Sequence, residues 1–189
     1  MKIIKQELFW PTPLWYTNIL DLINNKEIEN WALSEQKKSK SVIKSNRGGW
    51  QSDLIQSEIV FQNLIKNIEQ ICQQLQFDIK KIVITQMWVN INNKGDWNLI
   101  HQHGGYYDLC GTYYVKVPKN SGNIIFRDPR PAAIGNAMIN KRFDKGEWKG
   151  IPIEEGLLML WPTFLDHFVE PSKSDESRIS ISFDLIVKT

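Results

Sequence analysis

The sequence predicts a mainly β fold with flanking helices: a double-stranded β-helix, or jelly-roll barrel, with N-terminal α-helices packed on one sheet. Three observations carry this expectation. From Ile79 onward the chain breaks into short β-branched and aromatic runs separated by turn residues. Before that point, two polar-rich stretches space their apolar residues at helical intervals. All three histidines, His101, His103 and His167, fall inside the β-rich part, the first two only two residues apart.

Residues 1–17 carry the aromatic stretch Leu8-Phe-Trp-Pro-Thr-Pro-Leu-Trp-Tyr16, and its two prolines suit an edge strand or an extended arm. Helices are expected from Asp21 to about Lys38 and from Ser57 to about Gln76. The second is the clearer, since Ile59, Phe61, Leu64, Ile65, Ile68, Ile71, Cys72 and Leu75 make one apolar face. Between them, Asn46-Arg-Gly-Gly-Trp-Gln-Ser52 reads as a loop: the paired glycines free the backbone, and Trp50 needs a cover. Candidate strands follow at Ile82–Asn92, Asp108–Val117, Asn123–Phe126, Leu157–Trp161, His167–Val169 and Ser177–Val187. The stretch from Asp128-Pro-Arg-Pro to Gly150 breaks this rhythm and is expected to be a long loop, either a substrate lid or a surface excursion.

At 189 residues and 22.1 kDa the chain has the size of one domain, 1–189, with an arm and helices at 1–78 and the β core at 79–189. Hydrophobic content of 42% and charged content of 23% are those of a soluble globular protein. A net charge of +2 is too small to indicate a nucleic-acid partner. The basic stretch Lys37-Lys-Ser-Lys40, with Lys44 and Arg47, reads as a solvated loop because it lacks interleaved aromatics. No apolar run approaches the roughly 20 residues of a membrane span, and the first residues lack the apolar core of a signal peptide. Cys72 and Cys110 sit in apolar settings and read as free buried thiols, so a cytoplasmic location is expected.

The chemistry-bearing residues follow from strand alternation. In Asn98-Leu-Ile-His-Gln-His-Gly104, an extended strand would project His101 and His103 to the same side, where one metal ion would bind both. A third ligand must then come from a segment distant in sequence and adjacent in space, and His167, in Leu160-Trp-Pro-Thr-Phe-Leu-Asp-His-Phe-Val169, lies in such a segment. Upstream, Asn90 and Asn92 share a face in Trp88-Val-Asn-Ile-Asn-Asn-Lys-Gly95. Buried amides cost about 1–3 kcal/mol per unsatisfied group, so they either bind a ligand carboxylate or pair locally to close a hairpin turn. Downstream, Arg178, Ser180 and Ser182 share one face of Arg178-Ile-Ser-Ile-Ser-Phe-Asp184, opposite Ile179, Ile181 and Phe183. An arginine facing into a barrel needs an anion, and a carboxylate held in bidentate fashion beside a serine hydroxyl would satisfy it. An outward polar stripe on a half-buried strand is the alternative.

These residues carry a resemblance. The arrangement Asn90-x-Asn92-x-x-Gly95-x5-His101, then His167-x10-Arg178-x-Ser180, is similar to the iron(II)/2-oxoglutarate-dependent oxygenase superfamily. More narrowly, the chain resembles the small 2OG-Fe(II) oxygenases of bacteria and marine phages. The shared features are the early Phe9-x-Pro-Thr-Pro13 start, Gly48-Gly-Trp-Gln-Ser52, His101-x-His103 followed by Leu109-Cys-Gly-Thr-Tyr-Tyr-Val115, Phe126-Arg-Asp-Pro-Arg130, and the ending from Gly156 to Ser182. The resemblance implies Fe(II) held by His101 and His167, and 2-oxoglutarate as co-substrate gripped by Arg178 and Ser180. It also implies a tyrosine hydroxyl on the co-substrate from Tyr114, with Tyr113 in its place if the register slips by one. Asn90 or Asn92 would assist at the other end. The activity implied is oxidative decarboxylation of 2-oxoglutarate to succinate and CO₂, coupled to hydroxylation of a small-molecule or peptide substrate. His103 stands where the superfamily has a carboxylate; it ranks first as third ligand, with Asp108 and Asp128 as alternatives.

Two other readings compete. Gly95-x5-His101-x-His103-x4-Asp108 and Gly156-x5-Pro162-x4-His167 also resemble the two cupin motifs, which would bind a metal through His101, His103, Asp108 and His167 without 2-oxoglutarate. Arg178-x-Ser180 has no place in that reading. A catalytically inert binding module would use the eight tryptophans as an interaction surface, but it has no need of three histidines and Arg178. Substrate-pocket walls are expected from the Gly48–Ser52 loop, Tyr106, Tyr107 and residues 128–150, and the aromatic N-terminal arm suggests a homodimer.

Overall fold

One strand, β11 (Arg178–Lys188), organises the architecture, and its alternation sorts the two sides of the main sheet. Ile179, Ile181, Phe183 and Leu185 are buried toward the helices, whereas Arg178, Ser180, Ser182 and Asp184 turn to the opposite side and line a cavity. The computed structural model describes residues 11–75, 78–130 and 148–189.

The other elements, in chain order, are β1 (Trp15–Asn18), α1 (Asn25–Gln36), β2 (Asn46–Arg47), β3 (Trp50–Gln51), α2 (Ile59–Cys72), β4 (Lys81–Asn92), β5 (Trp97–His101), β6 (Leu109–Lys116), β7 (Ile124–Arg127), β8 (Trp148–Ile151), β9 (Leu157–Pro162) and β10 (His167–Val169). They form a six-stranded sheet, β1-β9-β6-β11-β4-β3, and a five-stranded sheet, β2-β5-β10-β7-β8. Every pairing in both is antiparallel. Consecutive strands thus fall mostly in different sheets, the jelly-roll arrangement that the strand spacing predicts.

The two helices cover the outer face of the six-stranded sheet. In α2, Phe61, Leu64, Ile68 and Cys72 form the buried stripe. Helix α1 contributes Ile28 and Ala32, and Trp31 meets Phe61 edge to face at 4.8 Å. It starts later than expected because a short 3-10 turn occupies Leu20–Leu22 and the Asn24 side chain then caps the helix by accepting from the Glu27 amide at 3.3 Å. Asn25 ties the helix to β6: its amide donates to the Val115 carbonyl at 2.8 Å, and the Tyr113 hydroxyl donates to its Oδ1 at 2.6 Å. A second apolar cluster, including Cys110, Tyr114, Phe126, Met159 and Trp161, lies between the sheets.

Two differences from the sequence expectation matter, the strands within residues 46–51 and the strand β8. The Gly48–Gly49 segment is a turn that carries the chain from β2 in the five-stranded sheet to β3 in the six-stranded one, with both glycines at positive φ (70° and 67°). A Cβ at Gly48 would come within 2.0 Å of Asp96 Oδ1, so glycine is required there for close approach as well. Trp50 finds its cover in the core, its indole N–H donating to the Ser39 carbonyl at 3.2 Å. The loop expected over 128–150 falls largely on residues 131–147, outside the described residues, and ends in β8, a strand absent from the expectation. The aromatic arm up to Trp10, on which the homodimer expectation stood, also lies outside the described residues. Cys72 and Cys110 are free and buried. Among the described residues, no helix is long and apolar enough to cross a membrane.

Candidate metal and co-substrate site

A cavity of about 740 Å³ lies between the sheets, and all eight residues singled out above line it: His101, His103, His167, Arg178, Ser180, Tyr114, Asn90 and Asn92. Its floor is a set of cross-strand rows. Asn92 faces Arg178; Asn90, Ser180 and Tyr114 make the next row; Trp88, Ser182 and Thr112 the next; Gln86, Asp184 and Cys110 the last. The facing wall is the β5–β10 pair, in which His167 lies directly opposite His101.

The three histidines converge. One ring nitrogen from each lies within 4.8 Å of the others. His101 Nδ1 contacts the Leu99 carbonyl at 2.7 Å, His167 Nδ1 the Leu165 carbonyl at 2.9 Å, and His103 Nδ1 the Asp184 carboxylate at 2.5 Å. Carbonyl and carboxylate oxygens only accept, so each Nδ1 carries the proton and each Nε2 is left as the acceptor, that of His101 lying 3.4 Å from the Ser45 hydroxyl. Burial holds the His101 imidazole below its usual pKa, and His167 well below, the neighbouring histidines adding to the effect. Imidazoles oriented in this way and at this spacing fit a divalent transition metal.

His103 reaches this cluster by a route other than the expected one. Strand β5 ends at His101, and His103 lies beyond it, its backbone N–H donating to the Thr163 carbonyl at 3.0 Å. The remaining carboxylates proposed for the third position are engaged elsewhere. Asp108 Oδ2 accepts from the Val187 amide at 2.7 Å, and Asp128 pairs with the Arg130 guanidinium. The cupin ligand set is therefore not assembled, since Asp108 is outside the cluster.

At the Arg178 row the chemistry is that of an anion site. Arg178 is 2% exposed and donates to the carbonyls of Ser121 and Gly122 at 3.0 and 2.9 Å and to Asn92 Oδ1 at 2.9 Å. All these acceptors are neutral, its Nε has no hydrogen-bond partner, and no carboxylate pairs with it among the described residues. A buried cation so placed carries a desolvation cost that an anionic ligand would offset. Tyr114 lies beside it, its phenol pushed up to about 12 by burial, so it stays a donor at neutral pH. Tyr113 points the other way, to Asn25, which removes the register ambiguity. Asn90 bonds Ser182 at 3.0 Å.

The sequence reading overlooked three contributors. Trp88 stacks on His103 with ring centroids 5.8 Å apart, Trp161 meets His167 edge-on at 5.0 Å, and Asp184 holds His103. Asp184 did carry a signal: it continues the alternation Arg178, Ser180, Ser182. Of the expected pocket walls, Gln51, Ser52 and Tyr107 line the cavity; Tyr106 is 89% exposed and does not.

A jelly-roll barrel that joins three converging imidazoles, able to hold a metal, to a buried arginine with only neutral partners fits a class: non-haem metal enzymes with an anionic co-substrate. Residues 86–184, more than half of the chain, match the family described as "Putative 2OG-Fe(II) oxygenase". The chain belongs to that family and is an Fe(II)- and 2-oxoglutarate-dependent oxygenase. Solved structures share the fold. A Pseudomonas putida prolyl-4-hydroxylase is 12% identical over 94% of both chains, with a TM-score of 0.65. The viral collagen prolyl hydroxylase of Paramecium bursaria Chlorella virus-1, in its 2OG complex, is 15% identical over 90% of this chain and 94% of its own, at 0.61. HygX from Streptomyces hygroscopicus, with nickel, 2-oxoglutarate and hygromycin B bound, is 12% identical over 92% and 82%, at 0.59. A comparison with curated proteins yields no match.

Proposed function

We propose that the protein hydroxylates a small-molecule or peptide substrate, with His101, His103 and His167 holding Fe(II) and with Arg178, Ser180 and Tyr114 gripping the distal carboxylate of 2-oxoglutarate. The observation that carries this reading is Arg178, buried without an anionic partner on the same cavity as the three histidines. Bound Fe(II) would supply oxygen activation and the oxidative decarboxylation of 2-oxoglutarate to succinate and CO₂. The protein's own part is placement. The Nδ1–H bonds of the histidines aim their Nε2 lone pairs, and Arg178 fixes the far end of the co-substrate against Tyr114 and Ser180. Asn92 steadies the guanidinium, and Asn90 steadies Ser182 along the same floor. Gln51, Trp88 and Tyr107 bound the part of the cavity left for substrate, an aromatic and amide lining that suits a ligand with both flat apolar and hydrogen-bonding surface.

The arm, helices and β core of residues 1–189 act as one domain in this reading, supported by β1 pairing with β9, β2 with β5 and β3 with β4. Two free buried thiols support a reducing, cytoplasmic setting. The decisive experiment is anaerobic calorimetric titration of 2-oxoglutarate into the Fe(II)-loaded protein, followed by succinate detection on admitting air. Fe(II) binding without 2-oxoglutarate binding would return the protein to the plain metal-barrel reading, and no metal binding to the inert module.

A further inference from the structure

The three histidines are not equivalent. His101 and His167 donate their Nδ1–H to main-chain carbonyls, of Leu99 and Leu165, whereas His103 donates to the carboxylate of Asp184. Asp184 is 3% exposed, and among the described residues His103 is the one group that bonds its side chain; no lysine or arginine pairs with it. A buried carboxylate with no cation beside it is destabilising, typically by several kcal/mol. The cost falls once positive charge arrives on the far side of the imidazole. Three imidazole ligands, in turn, bring no negative charge to compensate that of a divalent ion. Each feature supplies what the other lacks.

We propose that Asp184 acts through His103 as the anionic member of the metal centre, a positioning residue whose charge stands in for a directly bound carboxylate. This rests on the reading that His101, His103 and His167 hold Fe(II). Asp184 does not ligate the ion itself in this arrangement: its carboxylate holds Nδ1 of His103, which leaves Nε2 as the ring nitrogen for the ion. Nor do His103, Cys110 and Asp184, which also lie close together, make a second metal site: the Nδ1 proton is already given to Asp184, and burial pushes the Cys110 thiol up. Backbone register fixes the carboxylate in place. Asp184 sits between Gln86 on β4 and Cys110 on β6, at an irregularity in the β4–β11 pairing, with Thr85 Oγ1 donating to its main-chain carbonyl at 3.0 Å. Two effects follow: the Nε2 lone pair of His103 is aimed and made a stronger donor, and the nearby negative charge favours Fe(III) over Fe(II).

The test uses the full chain with Co(II) and, anaerobically, Fe(II). Asp184→Asn keeps the shape and an acceptor oxygen for Nδ1–H and removes the charge. The expected result is a Co(II) dissociation constant raised about 10- to 100-fold, a higher Fe(III)/Fe(II) midpoint potential, and metal-free thermal stability equal to or above wild type. A lower metal-free melting temperature with unchanged affinity and potential would assign Asp184 a merely structural role and overturn the proposal. Failure of the wild type to bind Co(II) would instead overturn the ligand reading beneath it. Should the variant not fold, proton NMR of the Co(II)-loaded wild type decides: three exchangeable hyperfine-shifted ring N–H signals are expected, and only two would exclude a His103 ligand with its Nδ1–H held by Asp184.

Discussion

Arg178 and Asn92 face one another across the β4–β11 pairing, and Nη2 of the arginine donates to Oδ1 of the asparagine at 2.9 Å. The bond orients the guanidinium without neutralising it, so a buried positive charge remains on the cavity. That residual charge separates a 2-oxoglutarate enzyme from a plain metal-binding barrel.

Replacing Arg178 by Ala should therefore raise the dissociation constant of 2-oxoglutarate about 100-fold or more, as expected for losing one partner of a buried, charge-assisted pair. Fe(II) affinity should change little, because Arg178 donates to Ser121, Gly122 and Asn92 and among the described residues not to a histidine. Arg178→Lys, which keeps the charge but not the planar fork, should recover only part of the loss. Parallel titrations of metal and co-substrate check both statements.

His167 is buried at the back of the cluster, opposite His101 in the β5–β10 pair. His167→Ala should lower Co(II) or Fe(II) affinity by more than about 100-fold, beyond what loss of an outer partner usually costs, and abolish succinate formation. Equilibrium dialysis of the metal against wild type measures the first effect; retention of wild-type affinity would remove His167 from the ligand set.

Burial pushes the Tyr114 phenol from its ordinary 10.0 up to about 12. A group whose folded pKa is raised contributes stability that is complete below the unfolded value and is lost as pH rises through the folded one. The window is thus pH 10 to about 12, and the shift corresponds to about 2–3 kcal/mol. Urea unfolding of wild type and Tyr114→Phe across that range should show the steeper alkaline decline in wild type. Equal slopes would mean that the hydroxyl is not buried as described.

Gly111 sits on β6 where a Cβ would approach both the Met159 carbonyl and the Phe183 ring to 2.5 Å. Gly111→Ala should destabilise by about 1–3 kcal/mol through overpacking, read as a lower melting temperature. Because the neighbouring row holds Thr112 and Ser182 on the cavity floor, 2-oxoglutarate affinity should weaken as well.

Much of this molecule is legible in the chain by periodicity. The apolar face of α2, the strands at Ile82–Asn92 and His167–Val169, and the common face of Arg178, Ser180 and Ser182 all follow from spacings of 3.6 or 2. Elements too short to show a period escaped: β2 and β3 have two residues each, and β8 follows a stretch without strand rhythm. His103 lines the cavity from beyond the end of β5 at His101, so strand alternation alone does not account for its position.

What the sequence by itself determined is which residues could share a face: alternation is a local property of an extended backbone and needs no partner. Which faces meet was decided only by the tertiary structure. The pairing of β11 between β4 and β6 put Tyr114 rather than Tyr113 on the cavity, and the same strand carried Asp184 rather than Asp108 or Asp128 to the clustered imidazoles. The physical reason is that a carboxylate–imidazole contact between residues 81 positions apart depends on register across strands and sheets, which no short-range pattern encodes.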